Sequence, residues 1–182
     1  MIQKRAITAE ELLVLPDDGN SYELVKGELR MMTPAGFEHG RVASRINFLI
    51  AQHVLENDLG AVLAAETGFT LGRSPDTVRA PDVAFVRQDR IPPEDQRHKF
   101  AELGPDLVVE VVSPNDRPSE IEEKVREYLE AGVRLIWIAH PGTRTVQEYR
   151  PSTARRDCAS SDELDGYDVL PGFKCEVAAF FA

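Results

Sequence analysis

Positive charge is scarce in this sequence, and long hydrophobic runs are missing. The 182 residues include 21 Lys and Arg against 31 Asp and Glu, which gives a formal net charge of −10. Bulk electrostatic binding of nucleic acid needs a basic face, so the composition disfavours it and leaves room only for local basic patches. No apolar run approaches the roughly 18 residues of a membrane helix, and Met1 to Thr8 contain no apolar leader. We therefore expect a soluble cytoplasmic protein with no membrane partner.

Cysteine is also scarce, and several catalytic signatures are absent. Cys158 and Cys175 form no CxxC pair and have no neighbouring pair of histidines, so the sequence disfavours zinc and predicts free thiols. No Walker loop, G-x-S-x-G elbow or dinucleotide fingerprint occurs. Nucleotide-dependent chemistry and acyl transfer therefore have no support in the sequence.

The sequence does contain a regular succession of helical and strand patterns. Its length and its hydrophobic content of 42% fit one domain, residues 1–182. Thr8 and Glu11 have the spacing of a capping box, which predicts a short helix before Pro16. The patterns after it predict a hairpin over 22–32, a long helix between Gly36 and Asn57, strands over 61–71 and 80–86, a surface loop over 87–102, a strand over 107–112, a helix over 119–129, strands over 133–139 and 145–150, turns over 151–161 and a hairpin over 163–177. This order predicts an α/β fold with a mixed central β-sheet, flanking α-helices and an N-terminal hairpin.

One predicted strand, Leu107 to Val112, is apolar except for Glu110. An apolar run with Pro and Gly on its flanks is typical of a strand that is covered on both faces. An unpaired ionised carboxylate in such a place would cost on the order of tens of kcal/mol in the Born limit. Glu110 must therefore be protonated, paired with a base, or bound to a metal ion.

Two other carboxylates interrupt apolar patterns in a similar way. Glu66 lies inside the predicted strand 61–71, and Asp82 lies near the start of the predicted strand 80–86. Glu66 is either a third metal ligand or an ion-pair partner. His39 lies on the inward face of the long helix, where it either joins the site or serves as a hydrogen-bonded core histidine.

The helix after Glu110 supplies a lysine. Ser119 and Glu122 have the spacing of a second capping box, and Gly132 is placed to end the helix. Lys124 lies about 60 degrees from Ile121 around the helix, at the border of the apolar stripe. Lys124 is therefore expected to reach inward.

Asp82, Glu110 and Lys124 allow two interpretations. In the first, two carboxylates from neighbouring strands hold a hydrated Mg²⁺, and the lysine positions or deprotonates an attacking water and offsets transition-state charge. In the second, Asp82 caps a turn and Glu110 forms a buried ion pair with Lys124 or Arg126. The cationic side chains near the carboxylate strands either contact phosphates or are ordinary solvated charges. They are Arg73, Arg79, Arg87, Arg90, Arg97, His98, Lys99 and Arg117.

A series of short stretches resembles a known family. In order, they are Tyr22-Glu-Leu-Val-Lys-Gly-Glu28, His39-Gly40, Ala65-Glu-Thr-Gly68, Ala80-Pro-Asp-Val-Ala-Phe-Val86, Pro105-Asp-Leu-Val-Val-Glu-Val-Val-Ser-Pro114, Lys124, Glu130-Ala-Gly-Val133 and Trp137-Ile138. Together they resemble the Uma-type family of "putative restriction endonucleases", first catalogued as a domain of unknown function, in the PD-(D/E)XK nuclease superfamily. The resemblance implies a restriction-endonuclease-like core and cleavage of phosphodiesters, with DNA as the expected substrate and Mg²⁺ or Mn²⁺ as the cofactor. It implies that Asp82 and Glu110 hold the metal, that Lys124 is the catalytic lysine, and that Glu66 and His39 are accessory groups.

The chain departs from the superfamily pattern at one position. Val112 stands where the superfamily has its lysine, so Lys124 can serve only from the following helix. A literal match occurs elsewhere, in Pro105-Asp106 with Glu122-Glu123-Lys124, but Glu122 and Lys124 point about 200 degrees apart on a helix and cannot line one site.

The displaced lysine and the acidic composition also support a second hypothesis. In it, a catalytically weak or inactive nuclease-like fold acts as a binding or assembly module. We further expect a homodimer, since endonucleases that cut both strands often pair and two-fold dimers are the commonest oligomers. The sequence itself assigns no nucleic-acid-binding residues.

Overall fold

The computed structural model describes residues 5–182, and Met1 to Lys4, part of the segment expected to lack an apolar leader, lie outside the described residues. The elements are α1 Ala9–Leu13, β1 Tyr22–Val25, β2 Glu28–Met31, α2 Phe37–Glu56, β3 Gly60–Ala64, β4 Phe69–Gly72, β5 Thr77–Arg79, β6 Val83–Arg87, β7 Leu107–Val111, α3 Pro118–Glu130, β8 Leu135–His140, β9 Thr145–Tyr149, β10 Arg156–Cys158, β11 Glu163–Asp165, β12 Lys174–Glu176 and α4 Val177–Phe180. Among these residues, no helix is both long enough and apolar enough to cross a bilayer.

A six-stranded sheet with the order β10-β9-β8-β7-β6-β3 forms the centre of the molecule. β7 and β8 are parallel, because α3 carries the chain back between them, and their neighbours pair antiparallel. Every residue of β7 is buried, as its apolar residues on both sides of Glu110 predict. The predicted α/β fold with a mixed central sheet is therefore confirmed.

The two faces of the central sheet are covered by different helices. Odd-numbered residues of β7, such as Val109, pack with α2 through Val42, Ile46 and similar side chains. Even-numbered residues, such as Val108, pack against α3. Because side chains alternate along a strand, Glu110 lies on the α3 face.

The predicted N-terminal hairpin belongs to a second sheet with the order β2-β1-β5-β4. Lys26 and Gly27 both have positive φ, 50 and 81 degrees, as a tight two-residue hairpin turn requires. α1 packs on this sheet through Ala9 and Leu12, and its capping box is present, with the Glu11 amide donating to Thr8 and the Thr8 amide donating to Glu11. The hairpin thus brings β1 alongside β5 instead of extending the central sheet.

Several predicted boundaries were wrong. Residues 61–71 form two strands, β3 and β4, separated by a turn in which Glu66 has a φ of 73 degrees. α3 begins at Pro118 after Arg117, whose amide donates to Glu120, so Ser119 lies inside the helix instead of capping it. Gly132, with a φ of 84 degrees, follows the helix as predicted.

Two further segments are more ordered than predicted. The loop 87–102 contains two short 3-10 turns, Gln88–Arg90 and Glu94–Gln96, and Ala101 bridges to Phe69 of β4. Within the predicted turns 151–161, β10 pairs with β9. The Ala101 bridge and the β10 pairing come from distant strands, which local composition does not encode, whereas the turn at Glu94–Gln96 is closed by local hydrogen bonds such as that from the Arg97 amide to the Glu94 carbonyl.

Candidate active site

Glu110 accepts hydrogen bonds from two side chains of α3. Lys124 Nζ lies 2.9 Å from Glu110 Oε2, and the Tyr128 hydroxyl donates to Oε1 at 2.6 Å. Lys124 and Tyr128 are four residues apart, so both project from one face of the helix onto the sheet. The prediction that Lys124 reaches inward is confirmed.

Burial raises the pKa of Glu110, and the negative charges of Asp82 and Glu23 add to the effect, while Lys124 and the Tyr128 hydroxyl oppose it. Burial and the Glu110 charge raise the pKa of Tyr128 well above its usual value, so the phenol remains a donor. Burial acts to lower the pKa of Lys124, but the carboxylates of Glu110 and Glu23 outweigh it and raise the pKa, which favours the ammonium form. The carboxyl groups of Asp82, Glu110 and Glu23 therefore influence one another around Lys124.

Asp82 comes to this point from the neighbouring strand. The antiparallel register pairs Val83 with Val109, so the next position outward places Asp82 across from Glu110. Asp82 Oδ2 accepts a hydrogen bond of 2.7 Å from the Val111 amide, which anchors the carboxylate to β7. The two acids therefore occupy the same end of the β6–β7 pair.

His39, in the first turn of α2, contacts Asp82. Its Nε2 lies 3.2 Å from Asp82 Oδ2. The hydrogen bond to Asp82 raises the pKa of His39, with burial acting against it and the charges of Asp82, Asp116 and Glu110 reinforcing it. His39 therefore adjoins the carboxylates as an accessory group would, while its catalytic role stays a prediction.

Behind Lys124 lies a buried charge network that the sequence analysis missed. Arg79 of β5 donates from Nη1 to Glu23 Oε2 at 2.7 Å and from Nε to Glu127 Oε2 at 2.8 Å. Lys124 Nζ is 3.9 Å from Glu23 Oε1. Although burial acts to raise the pKa of Glu23, Lys124 and Arg79 lower it. The network joins the second sheet to α3.

The sequence holds a signal for part of this network. Glu23 stands between Tyr22 and Leu24 in a predicted strand, the same pattern of one acid among apolar residues that singled out Glu110. Arg79 was predicted either to contact phosphates or to be a solvated charge, and its burial between two carboxylates shows that neither prediction was right.

The remaining predicted groups lie farther out. Glu66 is exposed in the turn after β3, where its Oε1 accepts a long 3.4 Å hydrogen bond from Ser21, so its accessory role stays a prediction. Asp106, the acid of the literal motif, is held by Arg90 and the Arg87 amide at the opposite end of β7 from Glu110. The literal motif therefore does not form a site, as the helix geometry predicts.

The donor set can be tested against a hard divalent ion. Asp82 Oδ1 has no hydrogen-bond partner among residues 5–182, and each Glu110 oxygen accepts one hydrogen bond and retains a lone pair. Within those residues, no group of three or more His, Cys, Asp or Glu has a metal-binding arrangement. A metal site built on Asp82 and Glu110 would therefore have only two protein ligands, so it would suit an ion that keeps several waters, as Mg²⁺ does, and not a closed all-protein site.

Comparisons with known proteins agree with this architecture. A solved structure described as a putative nuclease belonging to DUF820 from Anabaena variabilis ATCC 29413 has a TM-score of 0.84 to this chain, with 21% identity over 96% of this chain and 97% of that one. At this identity the likeness shows the fold. No curated protein matches the chain.

The family comparison covers nearly all of the described residues. The model of the Uma2 family, described as "Putative restriction endonuclease", matches residues 9–178. The matched region runs from α1 to α4 and includes Asp82, Glu110 and Lys124. The chain belongs to the Uma2 family.

Proposed function

We propose that the chain is a single-domain, metal-dependent endonuclease that hydrolyses phosphodiester bonds of DNA and uses Mg²⁺ or Mn²⁺. One observation carries the proposal: the strand register places Asp82 across from Glu110, close enough for its charge to raise the pKa of Glu110, and Lys124 contacts Glu110 at 2.9 Å. The family description and the nuclease title of the structural neighbour support the same reaction class.

Each side chain has a separate role in this proposal. Asp82 and Glu110 hold the ion, which when bound lowers the pKa of a water and offsets charge on the phosphate. Lys124 places an ammonium beside Glu110, where it orients water and balances negative charge. His39 orients Asp82 from α2, and Tyr128 fixes the second oxygen of Glu110.

Cleavage of a supercoiled plasmid tests the catalytic assignment. We expect nicking in the presence of Mg²⁺ or Mn²⁺, and a loss of at least about 100-fold in Asp82→Ala, Glu110→Ala and Lys124→Met, which is the scale of removing one group that stabilises transition-state charge. Glu122→Ala is the matched control, because Glu122 belongs to the literal motif but is exposed on α3. Equal losses in Glu122→Ala and Glu110→Ala, or no nicking by the wild type, would contradict the proposal.

Thermal unfolding tests the metal separately from activity. A ligand that binds only the folded state raises the melting temperature by mass action. We expect millimolar Mn²⁺ to stabilise the wild type and not Asp82→Ala or Glu110→Ala. A melting temperature unchanged by Mn²⁺ in the wild type would count against the two carboxylates as ligands.

A specific observation also favours the second candidate, a non-catalytic binding or assembly module. Both oxygens of Glu110 are satisfied by Lys124 and Tyr128, so the buried carboxylate has partners within the chain even without a metal. In a module, Glu110→Gln would leave partner binding intact and there would be no cleavage to lose. Plasmid nicking that disappears in Glu110→Gln rules the module out.

A further inference from the structure

The outer face of α2 carries three large apolar side chains in solvent. Phe37 is 87% exposed, Phe48 58% and Leu55 78%. At 100 degrees per residue, the three lie within about 20 degrees of one line along the helix, and the small residues Ser44 and Ala51 lie within about 40 degrees of it. We call these five residues the α2 stripe.

The alignment of these side chains on one helix needs an explanation. Single exposed apolar residues are normal on protein surfaces, but a shared apolar face marks an interaction site. The large residues follow one another at eleven and seven positions, which are close to three and two whole helical turns and suit pairing with another helix. The other large exposed hydrophobics among the described residues lie at the end of α1, just after it, and on β2: Leu13, Val14, Leu15 and Met31.

The α2 stripe is a separate surface from the candidate active site. His39, which contacts Asp82, points about 200 degrees away from Phe37 around the helix. The opposite side of α2 packs on the central sheet through Val42 and Ile46. A partner on the stripe therefore leaves the carboxylates accessible.

We propose that the α2 stripe pairs antiparallel with the same stripe of a second copy of this chain, around a two-fold axis at the level of Ile46. The spacing is symmetric about that residue: Phe37 and Leu55 lie nine positions on either side, and Ser44 and Phe48 lie two positions on either side. A two-fold interface requires such self-complementarity.

The sizes of the side chains match this register. Around the axis, Phe48 of one copy faces Ser44 of the other on both sides, so a large side chain meets a small one. Phe37 of each copy faces Leu55 of the other at the two ends. Interdigitated large and small residues are how packed helices fill the space between them.

The charges beside the stripe are held mainly within the chain. Arg41 contacts Glu38 at 2.9 Å and donates to the carbonyl of Ala182, and Arg45 donates to the carbonyl of Ala179. In the proposed register Arg41 lies level with Ala51 of the second copy, and Glu56 of that copy lies about five positions farther along the same side of the helix. Arg41 and Glu56 are therefore the opposite charges that the pairing brings together, and the second copy complements the face mainly in shape.

Light scattering coupled to size exclusion tests the interface, in buffer without divalent ions or nucleic acid. The result is therefore independent of the proposed nuclease activity. We expect the wild type at about twice the chain mass of 20.3 kDa, and Phe48→Glu at the single-chain mass, with the dissociation constant raised at least about 30-fold. Val14→Glu is the matched control, because Val14 is 76% exposed and lies outside the stripe. A monomeric wild type, or equal dissociation of Val14→Glu, would overturn the proposal.

A second pair of variants tests the register. Ser44→Lys and Phe48→Glu should each be monomeric and, when mixed, should form a heterodimer, because the antiparallel register places position 44 of one chain against position 48 of the other and so brings the introduced lysine and glutamate together. Both positions are exposed, and circular dichroism melts equal to the wild type confirm that the variants are folded. Failure of the folded mixture to dimerise while the wild type does so would overturn the antiparallel register.

Discussion

Arg73 and Arg79 lie six residues apart in one hairpin, and each forms ion pairs with more than one carboxylate, but one is exposed and the other is buried. Arg73 contacts Glu10 at 2.9 Å, Asp76 at 2.7 Å and also Glu102, with 38% of its side chain exposed. Arg79 contacts Glu23 and Glu127 at 2.7 Å each, with 2% exposed. Distance alone does not distinguish the two clusters, so their difference is one of solvent.

The difference in solvent decides what each cluster contributes. Water and salt screen the Arg73 cluster, and surface pairs of this kind are worth about 0–1 kcal/mol. The carboxylates around Arg79 have lost their hydration, so each depends on the guanidinium that remains. The buried cluster thus holds Lys124 and the candidate site in place, whereas the exposed cluster ties together α1 and two loops.

Removing each arginine gives the largest expected contrast. Arg79→Met should destabilise the fold by about 3–5 kcal/mol, because it leaves two carboxylates buried without their cation. Arg73→Met should cost less than about 1 kcal/mol, and this cost should vanish in about 1 M salt, where the Debye length is about 3 Å. Urea denaturation measures both. Equal effects for the two variants would show that burial does not separate the clusters.

The dependence of stability on pH sharpens the same contrast. Lys124 and Arg79 lower the pKa of Glu23 against the effect of burial, so the folded state favours its ionised form. This stabilisation is complete above the ordinary value of 4.5 and is lost as pH falls through the lowered folded-state pKa.

Glu23→Gln should therefore lower the free energy of unfolding by about 3 kcal/mol near neutral pH. The difference in unfolding free energy between the variant and the wild type should become smaller below the ordinary glutamate pKa. Denaturation curves at a series of pH values check this. Glu102→Gln, which removes one solvent-exposed contact of Arg73, is the control and should differ little from the wild type at any pH. If the stability difference between Glu23→Gln and the wild type grew in acid, the lowered pKa assigned to Glu23 would be contradicted.

The smallest expected change in stability comes from removing a tyrosine hydroxyl, in the core or on the surface. Tyr128 donates to Glu110 at 2.6 Å in the core, and Tyr22 donates to Asp18 at 2.7 Å on the surface. Tyr128→Phe should cost about 1.5–2 kcal/mol, because a buried carboxylate oxygen loses a charge-assisted hydrogen bond. Tyr22→Phe should change stability little, since water replaces the hydroxyl. Thermal melts of the two variants measure the difference, and similar losses would contradict it.

Much of the fold followed from local pattern. The apolar run of β7, the Lys26-Gly27 turn and the helical spacing of α2 and α3 predicted the corresponding elements, because periodicity and turn chemistry act over a few residues. Where the order comes from a distant partner, the prediction failed: β10 pairs with β9, and the Glu66 segment breaks into two strands.

The candidate site divides in the same way. The sequence by itself determined that Glu110 interrupts a buried strand, that Asp82 lies beside the start of another, and that Lys124 can face inward, because each of these follows from the neighbours of one residue. Only the tertiary structure decided that Tyr128 donates the second hydrogen bond to Glu110. It also decided that Arg79 joins Glu23 and Glu127, which lie 56 and 48 residues from it in the chain. A buried charge demands a partner, but local sequence cannot name it, because the partner is chosen by how sheets and helices pack.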